Sequence, residues 1–228
     1  MFNRSYNLAT MNKNINSIAS LIKVAIASVF STLFGITLLL NATPALAHHP
    51  NGGQIPSNFL EGFLSGIGHP VIGIDHLVFV IAVGFLAALS NRLGMIIPGA
   101  FVIATALGTG IHLQSIDLPA PELVISASVL VMGILLAQEK QTNLALVTIL
   151  SAIAGIFHGY AYGESIVGAE VTALGAYLLG FCGIQLGISA AAFYAGKSLL
   201  NRASLALRFA GFTVAGVGFA FVSSAILG

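Results

Sequence analysis

The sequence predicts an all-α fold: a polytopic membrane protein with six transmembrane helices after a cleaved signal peptide, both mature termini outside. Three observations predict it. Apolar residues make up 57% of the 228 and charged ones only 7%, with a mean hydropathy of +0.99. A large soluble domain needs a charged shell that such a chain cannot supply. The apolar residues fall in long runs parted by short polar breaks, and the cations beyond the N-terminal region lie on alternate breaks.

The N-terminal segment reads as a secretory signal. Arg4, Lys13 and Lys23 form a basic region, residues 24–40 an apolar one, and Ala45-Leu46-Ala47 a small-x-small cleavage site. An uncleaved first helix is the competing reading, because 17 apolar residues is long for a signal core; Pro44 and the Ala-Leu-Ala site favour cleavage. The expected division is residues 1–47 as signal peptide and 48–228 as the six-span domain. Cleavage leaves His48 and His49 leading in from the outer face.

Spans are expected over 70–89, 93–111, 123–137, 144–160, 171–195 and 205–227. Each is close to the ~20 residues that cross ~30 Å of hydrocarbon, although the third is short. The breaks are 90–92, 117–121, 138–143, 163–170 and 197–202. Arg92, Lys140, Lys197, Arg202 and Arg208 all lie in or beside the first, third and fifth breaks, and the second and fourth carry no cation. By the positive-inside rule the odd connections are cytoplasmic, in agreement with the signal peptide.

This topology gathers the ionisable groups at the outer side. The run Gly68-His69-Pro70-Val71-Ile72-Gly73-Ile74-Asp75-His76 opens the first span. Ionisable groups inside a membrane are costly and mark a pathway or a bound ion by default. His and Asp without a nearby thiol suit borderline divalent metals. For a lone histidine, an interfacial cap is the simpler reading; three ionisable groups within eight residues argue against it. His69 and His76 stand about 10 Å apart on a straight helix. They share one ion only if the backbone departs from a helix, which Pro70, as a first helical residue with His69 outside, would allow. Otherwise they serve successive positions, or Asp75 orients an imidazole.

A second cluster, Phe157-His158-Gly159-Tyr160-Ala161-Tyr162-Gly163-Glu164, closes the fourth span. Ser151, Gly155, Gly159 and Gly163 form a ladder of small residues that lets another helix approach. Plain packing explains the ladder; the attached His158 and Glu164 tilt the reading toward a site. His112 lies on a similar small-residue face, and Glu122 either caps the third span or serves as a ligand. With His48 and His49, all six histidines fall in the outer half. The mature chain, five cations against seven carboxylates, carries a formal −2, and its negative part draws cations in. Cys182 is the sole cysteine, so redox chemistry and an internal disulfide are not expected.

At these residues the chain resembles the HupE/UreJ family of bacterial membrane proteins over essentially its whole mature length. His69, Pro70, Gly73, Asp75 and His76 fall at the family's positions, and Glu122 at that of its third-span glutamate. The resemblance implies a secondary permease in the bacterial inner membrane, not an enzyme. It implies nickel or cobalt as cargo, no permanently bound cofactor, and indirect supply to hydrogenase or urease. Many members carry a second histidine where this chain has Tyr162, which bears on metal preference. Expected partners are the divalent ion and membrane lipid, not nucleic acid, and a homo-oligomer is left open.

The rival reading is a membrane-embedded zinc-dependent hydrolase, since His and Asp around a metal also activate water. The chain has no His-Glu-x-x-His pair, no Gly-x-Ser-x-Gly elbow and no P-loop. A metal sensor is disfavoured by the lack of a sizeable soluble domain.

Overall fold

The computed structural model describes residues 54–90, 93–138, 143–202 and 204–227; the segment expected to be a signal peptide, His48, His49, Arg92 and Lys140 lie outside them. All regular structure among the described residues is helical: α1 Phe59–Ile72, α2 Ile74–Leu89, α3 Ile96–Leu113, α4 Pro121–Ala137, α5 Leu144–Glu164, α6 Val171–Arg202 and α7 Ser204–Leu227. Helices α3, α5, α6 and α7 are each long and apolar enough to cross a membrane. α1 and α2 form a bent pair, inclined at 80° across a single residue, that counts as one further span or as a re-entrant loop. α4 is a shorter apolar helix of 17 residues.

Two expectations need correction. The first apolar run does not begin with Pro70 as its opening helical residue. A helix already starts at Phe59, where Asn58 accepts a hydrogen bond from the Glu61 N–H and Ser57 donates to the Glu61 carboxylate. This reciprocal capping fixes the start of α1. His69 and Pro70 therefore sit within α1, and the chain breaks at Gly73, whose extended backbone ends one helix and opens the next. The fifth polar break also fails: residues 197–202 continue α6. Lys197 Nζ donates to Ser90 O at 3.3 Å and lies over the Phe193 ring, so its charge leaves the apolar face without a break in the helix.

Small residues set the packing. Gly155 and Gly159 of α5 lie against the backbone of α3 at Phe101 and Thr105, and a Cβ at either would run into a carbonyl oxygen. The ladder read from sequence is therefore the α3–α5 seam. Gly62 and Gly66 do the same between α1 and α6, and at Gly133 and Gly211 a Cβ would run into backbone nitrogens between α4 and α7. The register of these contacts sets α3 and α5 in the same direction and α4 and α7 in opposite directions, as in a chain that reverses at each connection. The main apolar core gathers Phe79, Val83 and Leu86 of α2 with Phe101, Val129, Met132 and Leu136. Outward-facing Leu64, Ile103, Leu107, Leu179 and Phe219 are exposed, as suits contact with lipid.

Candidate functional site

The break at Gly73 builds the site. On a straight helix His69 and His76 would stand about 10 Å apart; with the 80° bend between them their ring centres are 5.7 Å apart. Both rings are buried. Gly73 is required for space: a Cβ there would stand 2.6 Å from His76 Cδ2. Asp75 occupies the first turn of α2, where a carboxylate complements the helix dipole, and its Oδ1 accepts the His76 N–H at 2.9 Å.

His158 of α5 completes the cluster, with its Nδ1 2.7 Å from His76 Nδ1. Two N–H groups cannot face each other at that distance, so one nitrogen must be the acceptor. Ser128 of α4 decides which. Its hydroxyl donates to Ile125 O at 2.6 Å, so toward His158 Nε2, at 3.1 Å, it offers a lone pair. His158 therefore carries its proton on Nε2, and its Nδ1 accepts from His76. That places the His76 lone pair on Nε2.

His69 is anchored from α6 and from the end of α5. Tyr177 of α6 donates its hydroxyl proton to Tyr162 O at 2.8 Å and lies 3.2 Å from His69 Nδ1. Ser165 Oγ lies 2.8 Å from the same nitrogen. His69 is thus held at Nδ1 by two hydroxyl groups, the nearer of which can give or take the proton. An imidazole whose Nδ1–H is held by a neighbour and whose Nε2 is basic is the form that ligates metals. Metal–imidazole bonds of about 2.1 Å put two rings sharing an ion roughly 5 to 6 Å apart. The His69–His76 separation falls in that range.

Tyr162 stands edge-on between the two rings, 4.9 Å from His69 and 4.7 Å from His76. It is fully buried, and its hydroxyl has no hydrogen-bond partner among the described residues. A phenol oxygen in that position fits a third contact to a cation or to its water. Phe79 and Phe101 close the other side of His158, at ring-centre distances of 4.4 and 5.8 Å.

His69, Asp75, His76 and His158 are thus brought together; among the described residues, the other expected ligands Glu122, Glu164 and His112 are not part of this cluster. Glu122, in the first turn of α4, and Glu164, at the end of α5, are exposed. α4 reaches the histidines through Ser128 instead. His112 packs against the Tyr160 ring, at 4.5 Å, and against Gly163. Tyr160 is two residues from His158 and so leaves α5 on a different face. Among the described residues no three His, Cys, Asp or Glu side chains are already grouped to hold an ion. Ser128, Ser165 and Tyr177 escaped the sequence reading; single polar residues in apolar helices signal little until packing shows what they touch.

Buried histidines held by serine and tyrosine, inside a bundle of long apolar helices, define a multi-pass membrane protein with polar groups in its interior. The chain belongs to the HupE/UreJ family: the family model described as HupE / UreJ protein matches residues 36–221. It is 35% identical over 128 residues to Protein HupE of Rhizobium leguminosarum bv. viciae, covering 56% of this chain and 64% of that relative. The match therefore spans just under two thirds of the relative's length. No solved structure matches the chain.

Proposed function

We propose that the protein is a secondary transporter that imports a divalent transition metal across the bacterial inner membrane, nickel first and cobalt next. The observation that carries this reading is the 80° break at Gly73, which sets His69 and His76 5.7 Å apart beside His158. Three buried imidazoles are costly in a membrane protein unless they serve an ion. Family membership supports the same reading.

In the proposed path His48 and His49 capture the ion at the outer face, and Glu122, Glu164 and His112 at the rim pass it on. His69, His76 and Tyr162 then replace part of its water shell. Asp75, half-buried at the start of α2, supplies the nearest negative charge. His158 holds His76 through Nδ1 and orients it rather than sharing that nitrogen with the ion. No ATP-hydrolysing motif is needed: a divalent cation gains about 4.6 kcal/mol on crossing 100 mV, negative inside. At about 1.4 kcal/mol per tenfold this sustains roughly three decades of concentration. The imported metal would supply hydrogenase or urease maturation. Family membership gives the zinc-hydrolase reading no support.

The test is multi-element accumulation in metal-starved cells expressing wild type or His76→Ala, across nickel, cobalt, zinc and copper. Accumulation of one metal by wild type and not by a normally expressed His76→Ala is the expected result. Equal accumulation in both would remove the histidines from the path.

A further inference from the structure

Beyond the histidines the interior of the bundle does not turn uniformly apolar. α6 carries Tyr177, Phe181, Gln185 and Ser189 at four-residue spacing, all fully buried. Each step advances about 6 Å, so Gln185 lies about 12 Å past Tyr177 toward the Lys197 end. Phe181 stands between, its ring against Tyr162 at 5.4 Å and Tyr177 at 5.5 Å.

The hydrogen bonds around Gln185 share one property: the protons are spoken for and oxygen lone pairs are left. Gln185 Nε2 donates to Phe181 O at 3.1 Å and to Thr105 Oγ1 at 3.5 Å. Thr105 Oγ1 donates in turn to Val102 O at 2.8 Å, and Ser189 Oγ to Val80 O at 3.3 Å. The amide cannot be turned over, because its oxygen would then face the Phe181 carbonyl, which only accepts. Gln185 Oε1 is therefore fixed as the outward atom. It has no hydrogen-bond partner among the described residues, on a side chain that is 0% exposed. A buried amide oxygen without a partner is costly, and retaining one calls for a task.

We infer that Gln185, braced by Thr105, forms a second position for the transported divalent cation, beside the histidine cluster at the depth where Thr105 packs on Gly159. The inference rests on the transport reading above. A lining that offers oxygen lone pairs and no unpaired proton suits a cation and rejects an anion. Amide and hydroxyl oxygens hold first-row metals less firmly than imidazole. An ion at the histidines would thus have a weaker position beside it, and conduction requires such a site that is entered and left readily.

The experiment uses the full chain and measures two quantities for nickel and cobalt: the initial rate of uptake in cells, and equilibrium binding to the purified protein. In Gln185→Leu, binding at the histidines should stay within about twofold while the uptake rate falls roughly 10- to 100-fold, the effect of one lost contact to a charged group. Thr105→Val, which removes only the hydroxyl behind the amide, should show the same split with a smaller fall, and it carries the test if Gln185→Leu fails to reach the membrane. Wild-type uptake in Gln185→Leu overturns the inference. Parallel loss of binding and uptake also overturns it, since that pattern marks a residue needed only for packing. His76→Ala separates the two readings: it should lose both quantities, and if it keeps uptake the histidine path fails whatever Gln185 does.

Discussion

Adding one methyl group at Gly73 tests whether the bent pair shapes the site. The Cβ of Gly73→Ala would lie 2.6 Å from His76 Cδ2 and 3.3 Å from Asp75 Oδ1. Non-bonded carbons settle at about 3.5–4.0 Å, so the imidazole must retreat by about 1 Å. Its Nδ1 stands 2.7 Å from His158 Nδ1. A retreat of that size carries the pair beyond the ~3.2 Å limit of a sound hydrogen bond. A buried donor and acceptor left apart cost about 1–3 kcal/mol, or roughly 5- to 150-fold in binding. Alanine also favours continuing the helix through the break by about 1 kcal/mol, which acts in the same direction. Metal accumulation by Gly73→Ala should therefore fall within that range at normal expression. Gly99→Ala is the control, because nothing lies within 4 Å of the added atom; it should leave uptake unchanged. Full uptake in Gly73→Ala would refute the role assigned to the break.

Three further outcomes are expected. Uptake should fall as external pH is lowered: the neutral ring binds metal, and protonation occupies the lone pair. Flat uptake from pH ~5 to ~8 would count against histidine ligation. Ser128→Ala strips the acceptor from His158 Nε2–H and should lower the melting temperature and slow uptake several-fold, the cost of one buried donor left unpaired at about 1–3 kcal/mol; an unchanged protein would show that Ser128 does not orient His158. Gly159→Val places carbon against the Thr105 carbonyl and should part α3 from α5. Loss of folded protein in detergent by size-exclusion chromatography is the readout, and a normal elution profile would contradict the close seam.

Much of this was legible because membrane helices announce themselves. The expected runs 93–111, 144–160 and 205–227 correspond to α3, α5 and α7 within a few residues, since twenty apolar residues leave the backbone few alternatives. His69, Asp75, His76 and His158 stood out in the sequence because ionisable groups are costly among apolar neighbours. The position of the break did not follow. Pro70 is the stronger helix breaker by local chemistry, yet α1 runs through it to Ile72; the steric demand that selects Gly73 comes from the His76 ring packed against it, which the local sequence does not show. The proton donors and acceptors around the imidazoles were hidden for a similar reason, as Ser165 and Tyr177 lie 96 and 108 residues from His69 in sequence. Lys197 misled because a charge in sequence looks like an end, whereas its long stem lets the helix run on. Glu122 and Glu164 carried the right chemistry for a ligand but stand at the exposed ends of their helices.

α6 has a consequence for how the protein sits in its lipid. Its 32 residues extend about 48 Å against a hydrocarbon layer of ~30 Å. A helix that long must lean, emerge, or stretch the surrounding bilayer, and the lean depends on membrane thickness. Lys197 pins one end of it to the last turn of α2. Tyr177 and Gln185 ride on the same rod, so any change of inclination shifts both against the imidazoles together. Acyl-chain length thereby becomes a control on the site, and reconstitution into bilayers of graded thickness should give an optimum rather than a plateau.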